Sequence, residues 1–197
     1  MTTLATSPPT QARRSTGRTV ARWMISFAGF PLGGLAAWLL TGPVDSTLSA
    51  IAGGLVTGIV LGAVQAWAMR ADRRLFVTWV VATAVGLSAG LAFGASLVGF
   101  STDFRDLVVQ GAISGLAVGL AQAITLLPRI GLIVAIWPVY LAGAWAAGWA
   151  ISTSIGIQVG ERFTVFGAAG AVTVALLTSI LPVLLNNRRT NTRKVSS

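Results

Sequence analysis

The stretch "GLVTGIVLGAVQ" at residues 54–65 recurs as "GAISGLAVGLAQ" at residues 111–122, each with glycines four residues apart and a glutamine three residues after the last glycine. Residues at positions i, i+4, i+8 and i+11 share one face of an α-helix. Glycine on that face lets a second helix approach closely, which stabilises helix pairs in a membrane. The repeated stretch therefore predicts closely packed helices surrounded by lipid.

The composition of the chain is also typical of a membrane protein. Only 10% of its 197 residues are charged and its mean hydropathy is +0.80, which leaves too little polar surface for a soluble domain. Stretches apolar and long enough to cross a bilayer lie near residues 23–41, 48–69, 76–99, 107–127, 131–152 and 164–185. Because these stretches are too long for barrel strands, the sequence predicts an all-α bundle of six transmembrane helices.

The repeat extends beyond the two quoted stretches, since a shift of about 57 residues also aligns small residues elsewhere in the chain. This shift predicts three helical hairpins, residues 23–69, 76–127 and 131–185, related by a pseudo-threefold axis along the membrane normal. The predicted helix-packing residues are Gly29, Gly33, Gly54, Gly58, Gly62, Gly86, Gly90, Gly94, Gly111, Gly115 and Gly119. The alternative is that the smooth glycine face lines a pathway.

The repeated motif resembles that of a loose group of uncharacterised bacterial polytopic membrane proteins, in which a GxxxGxxQ helix follows a helix containing Trp and Gly. The residues that carry the resemblance are Gly54, Gly58, Gly62, Gln65, Trp67, Gly111, Gly115, Gly119 and Gln122. The third hairpin departs from the motif, because Thr178 stands at its glutamine position. The resemblance implies the hairpin architecture and no particular activity.

Three polar residues, Gln65, Gln122 and Thr178, occupy matching positions within predicted membrane segments. An amide in hydrocarbon needs hydrogen-bond partners, so we expect either interhelical hydrogen bonds or contact with a solute. The predicted segments contain no charged residue, and the chain has no histidine and no cysteine. These features predict a protein that is not an enzyme and has no cofactor and no metal site, although an apolar groove could still hold a lipid, quinone or carotenoid.

Acidic residues recur outside the membrane at Asp45, Asp103 and Glu161, which are 58 residues apart. Each precedes a predicted membrane helix, where a carboxylate can cap free N–H groups and interact favourably with the helix dipole. Threefold geometry would place the three acids in an outer ring. A second interpretation is therefore that they attract cations to the mouth of a pore.

The basic residues predict the orientation in the membrane. Twelve of the fourteen cations fall in the two tails and in the loops of one side, which the positive-inside rule assigns to the cytoplasm. Residues 1–22 are predicted to be a disordered basic tail and residues 186–197 a second basic tail, so both termini lie inside. A bacterial inner membrane fits this pattern, with an organellar transit peptide as the alternative reading of the N-terminus. Cations spread over a membrane face favour contact with anionic headgroups and argue against nucleic acid.

The tryptophans predict an aromatic belt at the two membrane boundaries. Trp23, Trp67 and Trp79 fall near the inner boundary, and Trp38 and Trp149 fall near the outer boundary.

Together these features favour a non-catalytic multipass protein that packs against the lipid bilayer and against other membrane proteins or itself, as an accessory or scaffold subunit. The alternative function is a small channel or facilitator with a path along the pseudo-threefold axis. A continuous polar lumen bearing Gln65, Gln122 and Thr178 would favour transport. A closed axis would favour the scaffold.

Overall fold

The computed structural model describes residues 9–156 and 167–185, and every regular element in these ranges is a helix. The elements are α1 (Pro9–Met24), a 3₁₀ segment (Ile25–Ala28), α2 (Gly29–Thr41), α3 (Thr47–Ala68), α4 (Arg73–Leu97), α5 (Phe104–Ile130), a second 3₁₀ segment (Gly131–Ile136), α6 (Trp137–Ser154) and α7 (Ala168–Thr178). The all-α prediction is therefore confirmed for the described part of the chain.

Five helical segments of the described chain are long and apolar enough to cross a membrane, so this is a multipass membrane protein. They are Thr16–Thr41, Thr47–Ala68, Arg73–Leu97, Phe104–Ser154 and Ala168–Leu185. The sequence predicts six such segments. The count differs because α5, the second 3₁₀ segment and α6 follow one another without a non-helical residue, so Phe104–Ser154 forms one helical segment of 51 residues.

The segment Phe104–Ser154 nevertheless folds back on itself. Gly111 of α5 lies against Trp149 of α6, whereas Gly119 lies against Pro138, so the two helices are antiparallel. The reversal begins at Gly131, whose φ of 68° lies in the left-handed region that glycine adopts at helix ends.

The N-terminal region differs from the sequence prediction. The sequence predicts a disordered tail over residues 1–22, but α1 is helical from Pro9. The last turns of α1 pack on the bundle, since Thr19 is buried and Arg22 Nε donates a hydrogen bond of 2.6 Å to the carbonyl oxygen of Ala68. Packing on α3 thus stabilises a helix that its own composition does not favour. Residues 1–8 and 186–197 lie outside the described residues.

The helices form a closed ring. Consecutive helices from α2 to α7 pack against each other, and α7 packs against α1, α2 and the first 3₁₀ segment. The main hydrophobic core lies inside this ring and includes Trp23, Phe30, Leu61, Trp79 and Trp145. Large apolar residues such as Leu132 and Ile124 lie exposed on the outside, where a membrane helix meets lipid.

Candidate functional site at the bundle axis

Two buried tryptophans pair with the two glutamines predicted to lie within the membrane. Trp79 Nε1 donates a hydrogen bond of 3.1 Å to Gln65 Oε1. Trp137 Nε1 donates one of 3.0 Å to Gln122 Oε1. In each pair the indole N–H and the amide carbonyl satisfy each other away from water, so neither buried polar group is left without a partner.

A third tryptophan makes the corresponding contact between the first and last described helices. Trp23 Nε1 donates to Thr178 Oγ1 at 3.2 Å and to the carbonyl oxygen of Ala175 at 3.0 Å. The threonine thus stands where the other two pairs have glutamine, and a backbone carbonyl supplies a second acceptor. This contact closes the ring between α1 and α7.

Gln122 also joins a third helix to its pair. Its Nε2 donates a hydrogen bond of 3.0 Å to Thr83 Oγ1 of α4, while its Oε1 accepts from Trp137 of α6. One side chain of α5 therefore links three helices. Gln122 is 2% exposed, so loss of its amide would leave two buried partners unsatisfied.

These side chains surround a small cavity of about 10 Å³, roughly the smallest volume that holds one water molecule. Its walls combine the three tryptophans, the two glutamines and Thr178 with Leu61, Val118, Val174, Leu141 and Trp145. Leu61, Val118 and Val174 each lie one helical turn before the polar residue of their helix, and all three are buried. A layer of apolar side chains thus lies next to the hydrogen-bonded layer on the axis.

The eleven predicted packing glycines all lie where neighbouring helices approach each other. A Cβ added at any of them would come within 3.2 Å of an atom of another helix. For example, the position at Gly90 lies 2.7 Å from Ser114 Cα, and the position at Gly119 lies 2.5 Å from Pro138 Cα. The glycine faces therefore lie between consecutive helices, and the axis itself is lined by larger side chains.

The acidic residues cap helices less directly than the sequence predicts. The N-cap of α3 is Ser46, which forms a capping box with Ser49, and Asp45 only accepts a hydrogen bond of 3.2 Å from Ser49 Oγ. Asp103 occupies the N-cap position of α5, but its side chain makes no capping hydrogen bond. The prediction that Asp45 caps α3 is therefore wrong, because the N-cap is the next residue, Ser46. Glu161 lies outside the described residues.

The predicted aromatic belt is wrong for three of its five tryptophans. Trp23, Trp79 and Trp149 are at most 2% exposed, whereas Trp38 and Trp67 lie on the outer surface. The sequence does contain a signal for the axial set, because Trp23, Trp79 and Trp137 are spaced 56 and 58 residues apart, as the repeat requires. The belt interpretation missed it because Trp serves equally at an interface and in a core.

An ion pair at one end of the bundle was not predicted. Asp72 caps α4 by accepting a hydrogen bond of 2.9 Å from Leu75 N. The same carboxylate accepts hydrogen bonds of 2.9 and 3.2 Å from the guanidinium group of Arg129, near the end of α5. Asp72 thus joins the α3–α4 loop to the end of α5.

Within residues 9–156 and 167–185, no group of three His, Cys, Asp or Glu side chains could hold a metal ion. The axial residues are hydrogen-bonding and apolar groups, and their arrangement fixes helices relative to one another. No protein-family model, curated protein or solved structure matches the chain.

Proposed function

We propose that this chain is a non-catalytic multipass protein of the bacterial inner membrane that acts as an accessory or scaffold subunit. It packs through its outer surface against other membrane proteins or a second copy of itself. In this proposal three repeated hairpins surround a pseudo-threefold axis, cross the membrane six times and leave both termini in the cytoplasm.

The recurring axial contact supports the repeat. Gln65 of the first hairpin accepts from Trp79 of the second, and Gln122 of the second accepts from Trp137 of the third. Thr178 of the third hairpin accepts from Trp23, at the start of the first. Each contact therefore joins the second helix of one hairpin to the first helix of the next, as a threefold rotation requires.

The antiparallel packing of α5 and α6 supports six crossings. A straight helix of 51 residues would extend for about 77 Å, more than twice the hydrocarbon thickness of a bilayer. A segment that reverses near its middle matches two crossings instead.

The packing of the axis carries the choice of a scaffold over a channel. A solute on the axis would have to pass the tryptophan layer and the buried side chains of Leu61, Val118 and Val174. The carbonyl oxygens of Gln65 and Gln122, which could otherwise contact a solute, already accept hydrogen bonds from tryptophan. Because side chains fill the axis, we assign the function to the outer surface of the bundle.

The outer face of α6 offers a surface for another helix. Gly143 is exposed, and an added Cβ there would meet nothing within 4 Å. Ala146, Ala147 and Ala150 lie half-buried on the same helix. Small residues on a lipid-facing helix allow a close approach of a partner helix.

The proposal is tested by measuring the assembly state in particles cut directly from the membrane by a styrene–maleic acid polymer. We expect the unmodified chain to be found in a stoichiometric complex with itself or with a second membrane protein, identified by mass spectrometry. Gly143→Phe should dissociate the complex, because the new ring separates the helices. Ile124→Phe is the matched control, since Ile124 is 76% exposed on α5. Monomers throughout, including the unmodified chain, would refute the proposal.

A further inference from the structure

A second cavity, distinct from the axis, lies at the end of the bundle where α1 and α3 end and α4 begins. Its volume is about 360 Å³. The residues that line it are Arg22, Ala66, Trp67, Arg70, Ala71 and Phe76. The cavity thus combines two cations with an apolar wall, and the axial contacts do not use it.

Both arginines line this cavity, and their charges lie near enough to interact. The Nε of half-buried Arg22 donates to the carbonyl oxygen of Ala68, which fixes its guanidinium group beside the C-terminus of α3. Arg70 lies two residues after Ala68 in the sequence, and its positive charge repels that of Arg22. An anion between two such groups removes the repulsion. The planar fork of donors on a guanidinium group matches the oxygens of a phosphate.

The backbone of Arg70 provides an independent observation. Its φ is 52°, in the left-handed region, and its N–H donates to the carbonyl oxygen of Trp67 while Ala71 N donates to that of Ala66. This is the helix-ending turn in which glycine is the usual residue, because a side chain there is strained. The local fold therefore favours glycine at a position where the chain has a cation lining the cavity.

The apolar wall indicates what accompanies the charge. Trp67 is 56% exposed and Phe76 is 37% exposed, so both rings face outward next to the arginines. Aromatic rings beside basic residues are typical of the headgroup region of a membrane, and basic pockets between helices bind lipid headgroups there.

We propose that this cavity binds a phosphate group between the guanidinium groups of Arg22 and Arg70. The phosphate is that of an anionic phospholipid headgroup or of a soluble phosphate ester. This inference is independent of the scaffold proposal, since it concerns a different surface of the chain.

The test uses the full chain reconstituted in phosphatidylcholine membranes containing phosphatidylglycerol, with retained lipids counted by native mass spectrometry after mild extraction. Arg70→Gly should lower the affinity for phosphatidylglycerol by about tenfold or more, since it removes charge-assisted hydrogen bonds. The fold should remain intact because glycine suits a φ of 52°. This point is checked by thermal unfolding without the lipid, in which Arg70→Gly should unfold at a temperature no lower than that of the unmodified chain.

Arg74→Gln is the matched control, because it removes one exposed charge from the start of α4 outside the cavity. It should leave retention of phosphatidylglycerol unchanged. Glycerol 1-phosphate, added to the chain in pure phosphatidylcholine, distinguishes the two sources of phosphate. If glycerol 1-phosphate protects the unmodified chain, but not Arg70→Gly, against thermal unfolding, the site binds a soluble ester. If the chain retains phosphatidylglycerol specifically and glycerol 1-phosphate gives no protection, the site binds a lipid headgroup.

Two results would overturn the inference. If Arg70→Gly and Arg74→Gln lose the same amount of phosphatidylglycerol, the lipid responds to the overall surface charge and not to this cavity. An unmodified chain that neither retains phosphatidylglycerol nor gains stability from glycerol 1-phosphate has no phosphate site.

Discussion

Gly58→Ala tests the close contact between α3 and α4. A Cβ at this position would lie 2.5 Å from Ala84 Cα and 2.8 Å from the carbonyl oxygen of Thr83. Non-bonded carbon atoms pack at about 3.5 to 4.0 Å, so the two helices must move apart by about 1 Å. Overpacking of this kind costs about 1 to 3 kcal/mol of unfolding free energy.

The intrinsic preference of helices for alanine over glycine acts in the opposite direction, by about 1 kcal/mol. Gly17→Ala measures that preference alone, because Gly17 is exposed on α1 and its added Cβ meets nothing within 4 Å. We therefore expect Gly58→Ala to be less stable than Gly17→Ala by about 1 to 3 kcal/mol in reversible unfolding in detergent. Equal unfolding free energies for the two variants would refute the conclusion that the glycine face forms a tight helix contact.

Other substitutions test the axis, the ion pair and the topology. Gln122→Leu should lower the unfolding free energy by about 1 to 3 kcal/mol, since it leaves two buried groups unsatisfied. Thr178→Val should cost less, because the indole it contacts keeps a backbone acceptor; an equal cost would contradict the hydrogen-bond assignment. Asp72→Ala should cost about 1 kcal/mol in the same assay, and Asp72→Asn less, since asparagine also caps helices and an exposed ion pair contributes little. An equal cost for both would contradict the capping role. Reporter fusions at the C-terminus and after Glu161 should report opposite sides of the membrane, and a shared side would rule out six crossings.

The glycine contacts could be anticipated from the sequence because the feature that produces them is the spacing itself. Three glycines four residues apart share a helix face wherever the helix lies, so Gly54, Gly58 and Gly62 could be placed together in advance. Their partners could not, because nothing in the local sequence states that α4 lies opposite that face.

The belt prediction is wrong for two of the axial tryptophans, Trp23 and Trp79, for a related reason. Trp79 is buried and its indole N–H donates to Gln65, 14 residues earlier, whereas Trp67 is exposed although it lies close to that glutamine in sequence. Both would suit a membrane boundary if local sequence were the only evidence. The repeat spacing distinguishes Trp79 from Trp67. Trp79 lies 58 residues before Trp137, whereas no tryptophan lies at the repeat distance from Trp67.

The helix ends show the limits of local signals in another way. Asp45 and Ser46 can both cap a helix, and the choice of Ser46 depends on backbone geometry at a single residue. The N-terminal helix α1 makes a contact that is distant in sequence, since Arg22 donates a hydrogen bond to Ala68 at the end of α3. Composition alone favours disorder for that region.

The proposal that the axis is closed is tested most directly by ion flux through the purified chain in sealed liposomes loaded with potassium. We expect potassium release no faster than from liposomes without protein, with an added ionophore showing that the vesicles are sealed and loaded. Selective cation flux that disappears when Asp45, Asp103 and Glu161 are all changed to Asn, while thermal unfolding is unchanged, would contradict the scaffold proposal. That result would show a conducting path through the bundle, although the cavity beside the axial tryptophans and glutamines has room for about one water molecule.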